Sequence, residues 1–228
     1  MQCRFSRLAA CFTSRLTTRS RQRSVLLSFE GIDGCGKSTQ ARLLSQWLRE
    51  QGHDVVEIRE PGGTPLGEII RGLLLDSMAD LSAPAELFLF AAARAQLVDQ
   101  VIRPALKSGA IVVADRFTDS TLAYQGGGRS VAPDAALEAI NRIATGDVEP
   151  SLTFWLDLPL DVARSRRDGL GAPDRMERAG DDFYRRVDQA YRKLAESSPD
   201  RVLRIDAAQD VDLIQRGLQA AVQARLDM

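Results

Sequence analysis

Eight consecutive residues of this 228-residue chain, Gly31, Ile32, Asp33, Gly34, Cys35, Gly36, Lys37 and Ser38, are spaced for chemistry, with Thr39 directly after them. They match G-x-x-x-x-G-K-[ST], a glycine-rich turn whose backbone N–H groups converge on an oxyanion. A short apolar run precedes the turn and a helical pattern follows it. The helix N-terminus therefore points its positive dipole end at the same place. Lys37 adds a point charge able to follow a phosphoryl group, and Ser38 offers a hydroxyl to Mg²⁺. The chemistry expected is binding of a nucleotide's phosphates. Asp33 fits less simply, because its own ligand repels an acid in such a loop unless a cation or hydroxyl donor compensates. It reads either as a solvated loop acid or as a carboxylate that accepts from a sugar hydroxyl, or holds metal-bound water, on a second substrate.

Three other sets could act with this loop. Arg116 follows an acid, Asp115, at the end of an apolar run, so its guanidinium can grip a phosphate bidentately. Phe90 and Arg94 lie four apart and share a helix face. Arg164, Arg166, Arg167 and Arg175 fall in a segment with Gly169, Gly171 and Pro173. That segment, about 164–176, reads as a flexible basic flap or else as a solvated face.

The elements that must position these residues alternate along the chain. Apolar runs at 25–30, 54–58, 110–114, 151–156 and 202–205 read as buried strands. Helical patterns cover 37–51, 66–75, 84–107, 177–197 and 211–226, with Pro84 where a helix start tolerates it. No element is predicted between 116 and 150. Such alternation predicts an α/β fold, a parallel five-stranded sheet flanked by helices on both faces, with ligands at the carboxyl ends of its strands. A single domain is expected over 25–228.

Residues 1–24 carry six arginines and no acid. They read as a basic, disordered extension: upstream sequence without function, or an organelle-targeting peptide. The expected location is cytoplasmic, or an organelle if a targeting peptide is present. Hydrophobic residues make up 44% of the chain and charged residues 27%, which is material for a core. Thirty basic against 31 acidic residues leave a net charge of −1, which argues against a nucleic-acid partner. No apolar run approaches the roughly 18 residues of a membrane span, so no membrane partner is expected. Cys3, Cys11 and Cys35 are odd in number and lack metal-ligand spacing, so neither a disulfide framework nor a zinc site is expected. With His53 the one histidine, Ser-His-Asp chemistry is set aside.

Four segments in order carry a resemblance: 29–39, the run Arg59-Glu60-Pro61-Gly62-Gly63-Thr64, the pair Asp115-Arg116, and Ala123-Tyr124-Gln125-Gly126-Gly127-Gly128-Arg129. Together they resemble the bacterial type of thymidylate kinase, in the P-loop nucleoside monophosphate kinase superfamily. The phosphate loop alone would indicate only that superfamily, and the two glycine-rich segments are far more specific. The resemblance implies transfer of the γ-phosphoryl group of ATP to thymidine 5′-monophosphate, with Mg²⁺, a short arginine-rich lid and a homodimer. It also implies roles. Phe90 stacks on thymine and Arg94 hydrogen-bonds its carbonyl. Thr121, Tyr124 and Gln125 line the nucleoside pocket, with Tyr124 crowding the sugar 2′ position. Asp115 orients metal-bound water, and Arg71 and Glu60 are pocket residues. Some members carry an arginine directly after the loop acid. Gly34 stands there in this chain, so the charge must come from the flap, with Arg164, Arg167 and Arg175 the candidates.

The acceptor's phosphate has a second pKa of about 6 and is largely dianionic at neutral pH. Repulsion between two anions is then the obstacle, and Lys37, Mg²⁺, Arg116 and flap arginines are its remedy. Two alternatives stay open. A deoxynucleoside kinase would need a carboxylate base for a neutral hydroxyl acceptor, and a non-catalytic nucleotide-binding module would bind without turnover. A GTPase would need Asn-Lys-x-Asp, and neither Lys107 nor Lys193 lies in one.

Overall fold

The computed structural model describes residues 24–76, 78, 80–167 and 175–227. The expected N-terminal extension, apart from Ser24, and the flap's 168–174 lie outside the described residues. Five strands, β1 (Leu26–Glu30), β2 (Val55–Arg59), β3 (Ile111–Asp115), β4 (Leu152–Asp157) and β5 (Val202–Asp206), each lie within one residue of the predicted bounds. They form one parallel sheet in the order β2-β3-β1-β4-β5. Side chains alternate between its faces. Leu27, Phe29, Ile111 and Val113 belong to a core shared with α1 (Lys37–Glu50) and α9 (Val211–Asp227). Leu26, Val112 and Ala114 belong to a second core, built with Leu97, Val98 and Ile102. Strands buried on both faces explain the unbroken apolar runs in the sequence.

The predicted helix over 84–107 is α3 (Ala83–Leu97), a π-helical turn over Val98–Ile102, and α4 (Arg103–Lys107). Pro104 lacks the N–H that an uninterrupted α-helix would use. α2 (Pro65–Leu75) packs beside α3. The stretch with no predicted element holds α5 (Thr118–Ser120), a π-helical run over Thr121–Gly128, and α6 (Asp134–Thr145). Its glycines are there for close approach. A Cβ on Gly127 would stand 2.9 Å from the Arg186 carbonyl oxygen, and one on Gly128 would stand 2.4 Å from the Phe183 ring. Both neighbours belong to α8 (Asp181–Ser197), which follows α7 (Leu160–Arg167) and a 3₁₀ turn, Glu177–Ala179.

Strand order places the site. The chain leaves β1 toward β2 on one side and leaves β3 toward β4 on the other, so the crevice opens between β1 and β3. Phe29 pairs in register with Asp115, as Arg59 does. The Arg116 N–H donates to the Phe29 carbonyl at 3.0 Å, and the Glu60 N–H to the Asp115 carbonyl at 3.0 Å. Three sequence-distant segments thus end side by side.

Candidate active site

Between β1 and α1 the backbone takes positive φ at Gly31, Gly34 and Gly36, and no side chain caps the N-terminus of α1. Its first N–H groups are left to a ligand. Lys37 is buried, folds back to donate to the Ile32 carbonyl at 2.9 Å, and lies 3.8 Å from Asp33 Oδ1. The Ser38 hydroxyl donates to Asp115 Oδ2 at 2.5 Å. Gly34 is fixed by its neighbour: a Cβ there would lie 2.3 Å from the Ala163 carbonyl oxygen of α7. The backbone of α7 fills the space that a side chain at position 34 would need.

Arg116 has φ 73, in the left-handed region that disfavours side chains. Four contacts over-determine it. Its guanidinium donates to Asp33 Oδ1 at 2.6 Å, the Gly31 carbonyl at 3.0 Å and the Tyr124 hydroxyl at 3.0 Å, and lies over the Tyr124 ring, 4.8 Å from its centre. Burial works to raise the Asp33 carboxyl, but the charges of Arg116 and Lys37 outweigh it and hold the group at about 2. The compensation that a loop acid needs is built into the protein. Behind Arg116 sits Glu30, which accepts from the Phe117 N–H at 2.8 Å, Ser120 Oγ at 2.6 Å and the Tyr191 hydroxyl at 2.7 Å. Burial, then the negative charge of Asp119, raises its carboxyl above the ordinary value despite Arg116 and these donors. Glu30 thereby pins the turn that carries Arg116.

These groups face a cavity of about 610 Å³, whose wall includes Lys37, Ser38, Thr39, Asp115, Arg116 and Tyr124. Glu60, Arg71, Phe90, Thr121 and Gln125 line it as well. The Glu-Pro-Gly-Gly-Thr run turns after β2 into α2, where Thr64 caps the helix by accepting from the Gly67 N–H at 2.9 Å. Arg71 donates back to the Pro61 carbonyl at 2.9 Å. Arg94 is placed differently from its expected neighbours. It is 1% exposed and is absent from the cavity wall. Its N–H groups go to Glu60 Oε1 and Oε2, Thr121 Oγ1 at 2.7 Å, Asn141 Oδ1 at 2.7 Å and the Phe117 carbonyl at 3.0 Å. A guanidinium has five N–H donors, and these partners take all of them. In this structure Arg94 stands behind the wall and fixes Glu60 and Thr121, which are on it.

The flap arginines also separate. Arg166 lines the cavity and donates to the Ala207 carbonyl at 3.3 Å. Arg167 lies over the Tyr184 ring at 5.9 Å, and its charge helps to lower Asp33. Arg164 pairs with the exposed Asp181. Arg175 pairs with buried Glu86 at 2.7 Å and donates to the Leu74 carbonyl at 3.0 Å. The sequence points to Arg164, Arg167 and Arg175, yet Arg166 is the one of the four on the wall, since successive positions of α7 point in different directions and Arg175 lies beyond that helix. Glu86 escaped that reading. The signal was available: positions 86, 90 and 94 share one helix face.

The hydroxyl–carboxylate pair of Ser38 and Asp115 is a hard oxygen donor set that fits Mg²⁺. Among the described residues, no group of three or more His, Cys, Asp or Glu could hold a metal by itself. No helix among them is long and apolar enough to cross a membrane.

A family model described as thymidylate kinase matches residues 29–218. Thymidylate kinase of Chlorobaculum tepidum is 47% identical over 209 residues, covering 88% of this chain and 97% of its own length. That of Pseudomonas putida is 45% identical, covering 89% and 97%. The crystal structure of thymidylate kinase from Ehrlichia chaffeensis superposes with a TM-score of 0.70 at 34% identity, covering 88% of this chain and 99% of that one. The family match runs from β1 into α9, and with relatives this similar over nearly their whole length, the chain belongs to the thymidylate kinase family of phosphotransferases.

Proposed function

We propose that this protein transfers the γ-phosphoryl group of ATP to thymidine 5′-monophosphate, giving the diphosphate for dTTP synthesis. The observation that carries the reading is one cavity whose wall joins the phosphate loop, Arg116 and the Phe90–Tyr124–Gln125 face. The loop N–H groups and Lys37 bind the donor's phosphates. Arg116 stands between the loop and the base-side wall, where the acceptor's phosphate must lie, and neutralises it. Asp33 is ionised at neutral pH and accepts a hydrogen bond from the acceptor's sugar hydroxyl. A carboxyl held at about 2 is a poor proton acceptor there, and a dianionic phosphate needs no base. Ser38 and Asp115 would hold Mg²⁺, which when bound supplies charge neutralisation at the phosphates. Arg166 and Arg167 add positive charge, Arg164 and Arg175 tie the described ends of the flap to Asp181 and Glu86, and Arg94 positions Glu60 and Thr121.

The active form in this reading is a cytoplasmic homodimer. Leu66, Ile69 and Leu73 leave an exposed apolar stripe on α2, and Phe88 on the adjoining α3 extends it. A second copy of the chain would cover that stripe.

A coupled assay of ADP release over thymidine, its monophosphate, dUMP and dCMP tests the activity. Turnover with the monophosphate and none with thymidine is expected. The reverse pattern would make the chain a deoxynucleoside kinase, and binding without turnover a nucleotide-binding module.

A further inference from the structure

Glu86, in the first turn of α3, has no exposed surface and takes no part in the mechanism above. Four N–H groups converge on its carboxylate. Gln125 Nε2 donates to Oε1 at 2.9 Å. Arg129 approaches both oxygens, Nε to Oε1 at 3.4 Å and Nη2 to Oε2 at 3.2 Å. Arg175 Nη2 reaches Oε2 at 2.7 Å. A carboxylate in such a pair accepts and cannot donate, so only the NH₂ end of the Gln125 amide can face it. Turning the amide over would set two acceptor oxygens against each other in a buried site and lose a charge-assisted hydrogen bond. Gln125 lies on the cavity wall with its Nε2 taken by Glu86, so the acceptor end of the amide is the end turned away from that carboxylate.

We propose that Glu86 is a positioning residue that sets base selectivity: it holds the Gln125 amide with its nitrogen inward and its carbonyl oxygen as an acceptor for the nucleobase. This rests on the activity proposed above. A fixed acceptor suits a base that carries an N–H on its pairing edge, as thymine and uracil do. It opposes cytosine, whose ring nitrogen there is itself an acceptor. The two arginines do not read the base. They neutralise the carboxylate and tie it to the glycine-rich run and to the flap's described end at Arg175.

The test is a comparison of kcat/KM for thymidylate and dCMP in wild type, Glu86→Gln, Gln125→Ala and the double variant. Glu86→Gln can donate or accept, so the Gln125 amide is free to turn. The thymidylate-to-dCMP preference is expected to fall at least tenfold, mainly through KM. In the Gln125→Ala background the same change should leave the preference within twofold. Equal losses on both acceptors, or a full effect without Gln125, would reduce Glu86 to a structural ion pair and overturn the proposal. A measurement on the wild type guards against a variant that fails to fold. Thymidylate methylated at its ring N–H should bind at least a hundredfold more weakly than thymidylate, and binding within threefold overturns the proposal. Wild type inactive on thymidylate would instead sink the activity itself.

Discussion

Asp33 and Arg116 show how single side chains are set against local rules to make the site. A non-glycine residue at φ 73 costs about 1–3 kcal/mol, and it is held by bonds to Asp33, Gly31 and Tyr124. The Asp33 carboxyl lies at about 2 against an ordinary 3.8. A group lowered on folding stabilises the fold fully above its unfolded value, and that contribution drains away as pH falls through the folded one. Wild type should therefore exceed Asp33→Asn in urea midpoint at pH 7, and the gap should close between about pH 4 and pH 2; a constant gap would show that the charge is not its cause. Arg94 makes a different prediction. Removing one partner of a buried pair typically costs about 3–5 kcal/mol, so Arg94→Ala should lose that much in denaturant titration. A variant of normal stability with only a raised KM would return Arg94 to the cavity wall. For Lys37→Ala, kcat should fall about 10²–10³-fold, as for loss of one preorganised donor, with steady-state kinetics as the check.

Elements act through close approach, and glycines mark where. Gly34 and Gly36 both have positive φ, but only at Gly34 would a Cβ meet another element, the Ala163 carbonyl oxygen of α7; around Gly36 nothing lies within 4 Å. Gly34→Ala should accordingly lower the melting temperature more than Gly36→Ala, measured without nucleotide. Equal losses would mean that α7 yields freely. Contact between α7 and the phosphate loop also ranks the flap arginines. Arg167, whose charge is felt at Asp33, should lose more than tenfold in kcat on change to Ala. Arg164, paired with exposed Asp181, should stay within threefold, since surface pairs contribute little.

At the scale of the whole molecule, the parallel order β2-β3-β1-β4-β5 brings three loops to one crevice and leaves the α2 stripe outside every core. If a second copy covers that stripe, the wild type will sediment as a dimer and Ile69→Glu as a monomer, because a charge on Ile69, 65% exposed, would be buried without a partner. A monomeric wild type would remove the dimer from the reading.

The sequence by itself determined the five strands, the phosphate loop and the place of Asp115 and Arg116 at a strand end, since these rest on runs and spacings only a few residues long. It did not disclose the helices between Thr118 and Thr145, because Gly126, Gly127 and Gly128 look like a turn until the Phe183 ring and the Arg186 backbone of α8 are seen to press against two of them. Nor could it place Arg94 behind the wall, or choose among the flap arginines. Those outcomes depend on partners 17 to 101 residues away along the chain, as in Arg164 with Asp181 and Arg175 with Leu74. Which donors a guanidinium has left for a ligand is fixed only when the packed fold has claimed the others.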